Sequence, residues 1–357
     1  MLDLTQLEQE VFDYQTRLQE LAALTKEESR SEIMPEQALV GELIAENSLW
    51  QLQGYSNNKT GRPLLVVYAL LNSPRILDLS KDCSFLAGLI RAGFDVYLLS
   101  WKNDQHVAGV RSYHEYIINQ GLSQAVDTVL LHCKQPQLEL LGVCQGGVFS
   151  LCLSLLQPDK LKRLILMGTP VDLHTADNIL MQRAKRSIAL KGQFNYVRAK
   201  AGKLINSRSI NHWLACQQPT RLLMLKYANF IHLEPQQRHE FYQLEQWLWG
   251  SGWLSADALN EFIDDFYVNN LLFSGRLLIE EQPLYLASLA VPTLNLYANH
   301  DSLVPASASQ ALGQVVQHER LDYQEYGFNT GHIGLYISDK VQKQVIEKIV
   351  MTTPSVI

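Results

Sequence analysis

At 357 residues, the chain is longer than one small domain needs; its net charge of −6, with no dense Lys/Arg run, argues against a generic nucleic-acid binder. Apolar residues make up 47%, which excludes a disordered composition and allows a substantial core. No segment reaches the ~18 continuous apolar residues of a membrane span. The acidic start MLDLTQLEQE lacks the basic-then-apolar pattern of a secretion signal, so a soluble cytoplasmic protein is expected. The five cysteines, at positions 83, 133, 144, 152 and 216, are odd in number and form no CxxC pair. That usage fits reduced thiols, with Cys133 and Cys152 packing as small apolar residues.

In chain order, Leu4, Leu7, Val11, Tyr14, Leu18 and Leu21 recur at spacings of three and four, which predicts an amphipathic helical extension over residues 1–35. Residues 48–53 alternate as an early strand would, and NNKTGRP at 57–63 is a polar turn. The apolar run 64–71 reads as a parallel strand buried on both faces. A helix over 83–92, a strand over 96–99 and a helix over 112–131 follow, leading to a strand at 138–143. The next helix ends near Pro158, and 164–167 is another buried strand, closed by Gly168-Thr169-Pro170. Strands alternating with helices in this way imply a parallel α/β sheet. From about Val171 to Leu289 the alternation stops and the chain is helical and aromatic, which predicts an inserted cap over the carboxyl edge of the sheet. It resumes with a strand at 293–298, a helix near 307–316, a strand near 321–326 and a closing helix after Ser338. The expected division is a core part at 1–171, a cap at 172–288 and the rest of the core at 289–357.

The stretch LELLGVCQGGVFSL at 138–151 carries the chemistry. A strand passing through Gly142-Val143-Cys144-Gln145-Gly146 into a helix is the layout of a nucleophile elbow, with Cys144 where most such elbows place serine. In an α/β-hydrolase fold the acid and then the histidine follow the nucleophile in the chain. Asp301 follows the strand at 293–298, and His332 follows the last strand. Each motif alone is weak, since an Asp after a strand is commonly a helix cap; the three in order form the expected catalytic triad. Asp95 and Asp172 are weaker alternatives for the acid, and His300 reads as a surface or supporting residue. A free thiol has a pKa of ~8.5 and attacks as the thiolate, so His332 would take its proton and Asp301 would orient the imidazole. The backbone N–H groups of Gln145 and Leu71 are the expected oxyanion donors.

Cysteine changes the chemistry. An acyl group moved from a thioester donor onto Cys144 remains an activated thioester and can pass to an alcohol if water is kept out. An aromatic cap suits that need. Acyl transfer is therefore the leading expectation, with a cysteine-dependent hydrolase of thioesters or esters as the alternative.

The box Gly142-Val143-Cys144-Gln145-Gly146-Gly147 resembles the lipase-like box of polyhydroxyalkanoate synthases, in which cysteine replaces serine. Further segments resemble that family: Val66-Val67-Tyr68-Ala69-Leu70-Leu71-Asn72, Asp264-Asp265-Phe266-Tyr267-Val268-Asn269-Asn270 and Gly331-His332-Ile333-Gly334. The length and the Cys-Gln-Gly-Gly form are similar to the class III catalytic subunit. The resemblance implies polymerisation of (R)-3-hydroxyacyl-coenzyme A, with Cys144 acylated, His332 as base and Asp301 as acid partner. It gives Asp301 a second duty, activating the substrate's 3-hydroxyl. It also implies a growing polyester chain, a second synthase subunit as partner, a location at storage granules and no cofactor, coenzyme A being part of the substrate. A homodimer is compatible with all of this. The chain departs from the family pattern at Asn299-His300, beside Asp301, and in the Lys/Arg-rich segment 179–216.

Overall fold

The computed structural model describes residues 39–55, 61–103, 107, 109–178, 204–216, 235–250, 252–317 and 321–352. Eight strands form one sheet: β1 (Glu42–Glu46), β2 (Trp50–Tyr55), β3 (Arg62–Val67), β4 (Phe94–Trp101), β5 (Leu138–Val143), β6 (Leu161–Met167), β7 (Thr293–Ala298) and β8 (Tyr323–Phe328). Their order is β1-β2-β4-β3-β5-β6-β7-β8. β1 and β2 run antiparallel to their neighbours, and all later pairs are parallel.

The apolar runs in the sequence become strands covered on both faces. In β3, Leu65 and Val67 join the core on one side of the sheet while Leu64 and Val66 join the core on the other, as the two-residue side-chain period requires. Helices α1 (Phe85–Arg91), α2 (Leu122–Cys133) and α3 (Gln145–Leu156) follow β3, β4 and β5. The Ser84 side chain caps α1 by accepting from Ala87 N at 3.0 Å.

Between β6 and β7 the chain leaves the sheet. The described part of this insertion contains α4 (Ser207–Cys216), α5 (Pro235–Trp249) and α6 (Ala256–Phe262), and a two-strand ribbon pairing Leu204–Asn206 with Trp253–Ser255. Then α7 (Ala306–Val315) follows β7, and α8 (Asp339–Met351) closes the fold. Among the described residues, no helix is long and apolar enough to cross a membrane.

Several boundaries differ from the sequence expectations. The strand expected over 64–71 stops at Val67, and 68–71 is loop although Tyr68 and Ala69 are buried. The single helix expected over 112–131 is two, His114–Ile117 and α2, because the chain turns at Asn119 with φ 49°. The edge strand β1 had no apolar run to announce it, its burial pattern being mostly exposed. The helical extension expected over 1–35 lies outside the described residues, as do residues 179–203 of the Lys/Arg-rich segment 179–216.

At the end of the sheet opposite Cys144, β5 and β6 share a buried ion pair. Arg163 donates to Glu139 through Nε at 2.8 Å and Nη2 at 2.5 Å, both side chains being 1% exposed. Arg163 Nη1 reaches on to Thr352 O at 2.9 Å, which ties down the end of α8. Glu139→Ala leaves that guanidinium without its carboxylate and is expected to destabilise the fold by about 3–5 kcal/mol. Urea unfolding measures this, and a loss under about 1 kcal/mol would show the pair to be dispensable.

Candidate active site

The buried strand β5 delivers Cys144 to the sheet's carboxyl edge with φ 54° and ψ −120°, a conformation L side chains rarely adopt. The surrounding backbone holds it there. Cys144 N donates to Met167 O at 2.9 Å, while Gly147 N and Val148 N donate to Cys144 O at 3.0 and 3.3 Å. A Cβ at Gly146 would strike Val67 O and Tyr68 O, so glycine lets α3 begin directly against the end of β3.

The ends of β7 and β8 supply the other two groups. Asp301 is buried, with Oδ1 accepting from Leu303 N and Val304 N at 2.8 Å each. Its Oδ2 lies 2.5 Å from His332 Nδ1. The Cys144 sulfur lies near enough to His332 to favour its charged form; with Nδ1 engaged by Asp301, Nε2 is the ring nitrogen left for the sulfur. Burial works against the imidazolium, but the Asp301 carboxylate and the Cys144 sulfur overcome it and hold His332 well above the ordinary histidine value. The structure thus brings Cys144, His332 and Asp301 together in the order that their chain positions suggest.

The two backbone N–H groups expected as oxyanion donors have no hydrogen-bond partner among the described residues. Gln145 opens α3, so its N–H has no acceptor within the helix. Leu71 N makes no hydrogen bond, whereas its neighbour Leu70 N donates to Gln145 Oε1 at 3.1 Å. The Gln145 side chain therefore pins the loop after β3 to the elbow, a role its sequence position did not suggest.

Two tyrosines were also not singled out by sequence reasoning. Tyr68, just after β3, and Tyr336, four residues beyond His332, share a hydrogen bond between hydroxyls 3.3 Å apart within the core against which Cys144 packs. Burial, with smaller contributions that include the Cys144 sulfur, raises both phenols far above their usual value. They remain neutral. Apolar Val67 and Ala69 flank Tyr68, and Leu335 and Ile337 flank Tyr336, so nothing local distinguishes them from core residues.

The alternative acids are occupied elsewhere. Asp95 Oδ2 accepts from Gly61 N at 2.8 Å, and Asp172 Oδ1 accepts from His174 N and Asn270 Nδ2, each at 2.8 Å. His300 is exposed, and Cys152 is buried in the core as expected of a small apolar residue. His114, Glu261 and Asp265 place ligand-type atoms within 4.8 Å of one another. Their carboxylates already accept hydrogen bonds: Glu261 from Ser112 Oγ and Tyr113 N, Asp265 from the Tyr113 hydroxyl. That cluster joins the segment before α2 to the insertion after β6. Above it, Phe262 of α6 and Phe149 of α3 meet edge to face with ring centroids 5.9 Å apart, in an aromatic group that includes Tyr113, Tyr116 and Phe266.

A family model described as alpha/beta hydrolase fold matches residues 62–335. The poly(3-hydroxyalkanoate) polymerase subunit PhaC of Allochromatium vinosum is 36% identical over 292 residues, which cover 80% of this chain and 79% of the relative. The subunit of the same name from Synechocystis sp. is 32% identical over 330 residues, covering 92% of this chain and 86% of the relative. Among solved structures, an alpha/beta fold family hydrolase from Bacillus anthracis aligns with TM-score 0.53 at 13% identity, over 87% of this chain and 98% of that one. A hydrolase from Pseudomonas aeruginosa aligns with TM-score 0.52 at 14% identity, over 87% and 97%. The structural likenesses concern the fold alone, while the sequence relatives are close and cover most of both chains. The chain belongs to the α/β-hydrolase fold and, within it, to the family of poly(3-hydroxyalkanoate) polymerase PhaC subunits.

Proposed function

We propose that the chain polymerises (R)-3-hydroxyacyl units from their coenzyme A thioesters into polyester, holding the acyl group on Cys144. The observation that carries this reading is His332, hydrogen-bonded to Asp301 and held beside Cys144, which stands at φ 54° on the bend between β5 and α3. The relatives' shared name, poly(3-hydroxyalkanoate) polymerase, supports the polymer as product.

In the first half-reaction, the Cys144 thiol gives its proton to His332 as the sulfur attacks the thioester carbonyl, and the oxyanion is stabilised by Gln145 N and Leu71 N. The bond from carbonyl carbon to coenzyme A sulfur breaks, and the departing thiolate takes the proton from His332. In the second, the 3-hydroxyl of an incoming (R)-3-hydroxyacyl-coenzyme A attacks the Cys144 thioester and gives its proton to His332. The lengthened coenzyme A thioester then re-acylates Cys144 with loss of coenzyme A. Asp301 acts through His332 throughout, because its side chain is wholly enclosed and both its oxygens accept hydrogen bonds. This departs from the second duty that the family resemblance assigned to it. The aromatic group around Phe149 and Phe262 supports the exclusion of water that such an intermediate needs.

Coenzyme A is substrate and product here rather than a cofactor. A second synthase subunit and the surface of a polyester granule are the proposed partner and setting. Incubation with 3-hydroxybutyryl-coenzyme A, with and without such a subunit, tests the reading. Free coenzyme A together with insoluble polymer is the expected result. Release of 3-hydroxybutyrate without polymer would replace it with a thioester hydrolase.

A further inference from the structure

Leu71 is bracketed by two side-chain amides from different parts of the fold. On one side, Gln145 of the elbow holds Leu70 N at 3.1 Å. On the other, Asn72 pairs with Asn211 of α4: Asn211 Nδ2 donates to Asn72 Oδ1 at 2.6 Å, and Asn72 Nδ2 donates to Asn211 Oδ1 at 3.4 Å. Asn211 is 3% exposed, and its Nδ2 also donates to Leu248 O of α5 at 2.6 Å. One residue further along the loop, Ser73 O accepts from Trp247 Nε1, again from α5, at 2.7 Å. Asn72 itself stands at φ 68°, in the left-handed region that needs outside support in a non-glycine residue.

The direction of the Leu71 N–H is set by the torsions on either side of the Leu70–Leu71 peptide. Gln145 holds the residue before that peptide and Asn211 the residue after it, so the two contacts together narrow the torsions open to it. One restraint comes from the residue beside the nucleophile and is always present when the elbow is formed. The other exists only when α4 and α5 are seated on the loop.

We infer that Asn211 is a positioning residue: through its amide pair with Asn72, the inserted helices hold the Leu71 N–H in the orientation that donates to the oxyanion. The inference rests on the reading of Cys144 as nucleophile and Leu71 as oxyanion donor. It makes docking of the insertion a condition of catalytic competence rather than only a cover over the site.

The test separates two reactions of the same sulfur. Acyl transfer from 3-hydroxybutyryl-coenzyme A creates an oxyanion, whereas alkylation by iodoacetamide displaces iodide at a saturated carbon and creates none. Both are followed by intact mass in a single turnover, for the wild type, Asn211→Ala and Asn72→Gly. Glycine tolerates the left-handed backbone, so the second variant removes the amide without adding strain. Each substitution is expected to slow acylation at saturating thioester by about tenfold or more, part of the ~10²–10³ that loss of an oxyanion donor costs, with alkylation within about twofold of wild type. Unchanged acylation in either variant, or alkylation falling in step with acylation, would overturn the inference. If Asn211→Ala is insoluble, Asn72→Gly decides alone. A wild type that is not acylated at Cys144 would instead sink the reading beneath it.

Discussion

Replacing Cys144 by alanine is expected to abolish coenzyme A release while the fold persists. The restraints on this residue are backbone contacts to Met167 O, Gly147 N and Val148 N, none of which uses the sulfur. Stability should therefore change by about 1 kcal/mol or less, the range for substitutions that break no buried network. Turnover should fall on the order of 10⁶-fold, the scale on which removing the nucleophile of a triad acts. Release of coenzyme A is followed with a thiol reagent and the fold by thermal melting. Near-wild-type release from a folded Cys144→Ala protein would move the chemistry to another residue. Cys144→Ser is the finer variant: it keeps the elbow but forms an oxygen ester, which lacks the activation needed to pass the chain onward.

Asp301→Asn is expected to lower turnover by about 10⁴-fold, for a reason visible in its hydrogen bonds. The Oδ1 position receives two backbone N–H groups, from Leu303 and Val304, so an asparagine must keep its carbonyl there. Its NH2 then faces His332 Nδ1, which has to accept rather than donate. The ring proton moves to Nε2, and His332 can no longer take a proton at the nitrogen left for Cys144. The same variant changes how stability depends on pH. His332 is raised in the native state, so the stability it contributes is fully present below the unfolded histidine value of about 6.5 and is lost as pH rises through the native value. Without the carboxylate, unfolding midpoints should vary less over that window. A wild-type-like rate, or an unchanged slope of midpoint against pH, would remove Asp301 from this role.

The elbow was legible because its constraint is local: a buried strand, two glycines and a helix start lie within a few residues of Cys144. Asp301 and His332 were legible because each follows a strand of the same parallel sheet, whose carboxyl edge gathers whatever its loops carry. The boundary of β3 was not, since Tyr68 and Ala69 are buried against the site rather than within the sheet, and an apolar run cannot separate those two reasons for burial. The edge strand β1 carries little apolar signal. Contacts such as Asn72 with Asn211, 139 positions apart, or Tyr68 with Tyr336, 268 apart, join residues that are individually ordinary and acquire meaning only once the chain is folded.

The way Cys144 is held has an evolutionary side. Because its unusual torsions are maintained by neighbouring backbone and by the absence of side chains at glycine, the scaffold is indifferent to which nucleophilic atom sits at the bend. Serine and cysteine differ there by a single atom, and their codons can differ by a single base. An esterase-like ancestor and a polymer-forming descendant are thus neighbours in mutational space at this position. What separates their outcomes lies in the surroundings that decide whether water or another acyl hydroxyl reaches the bound group first.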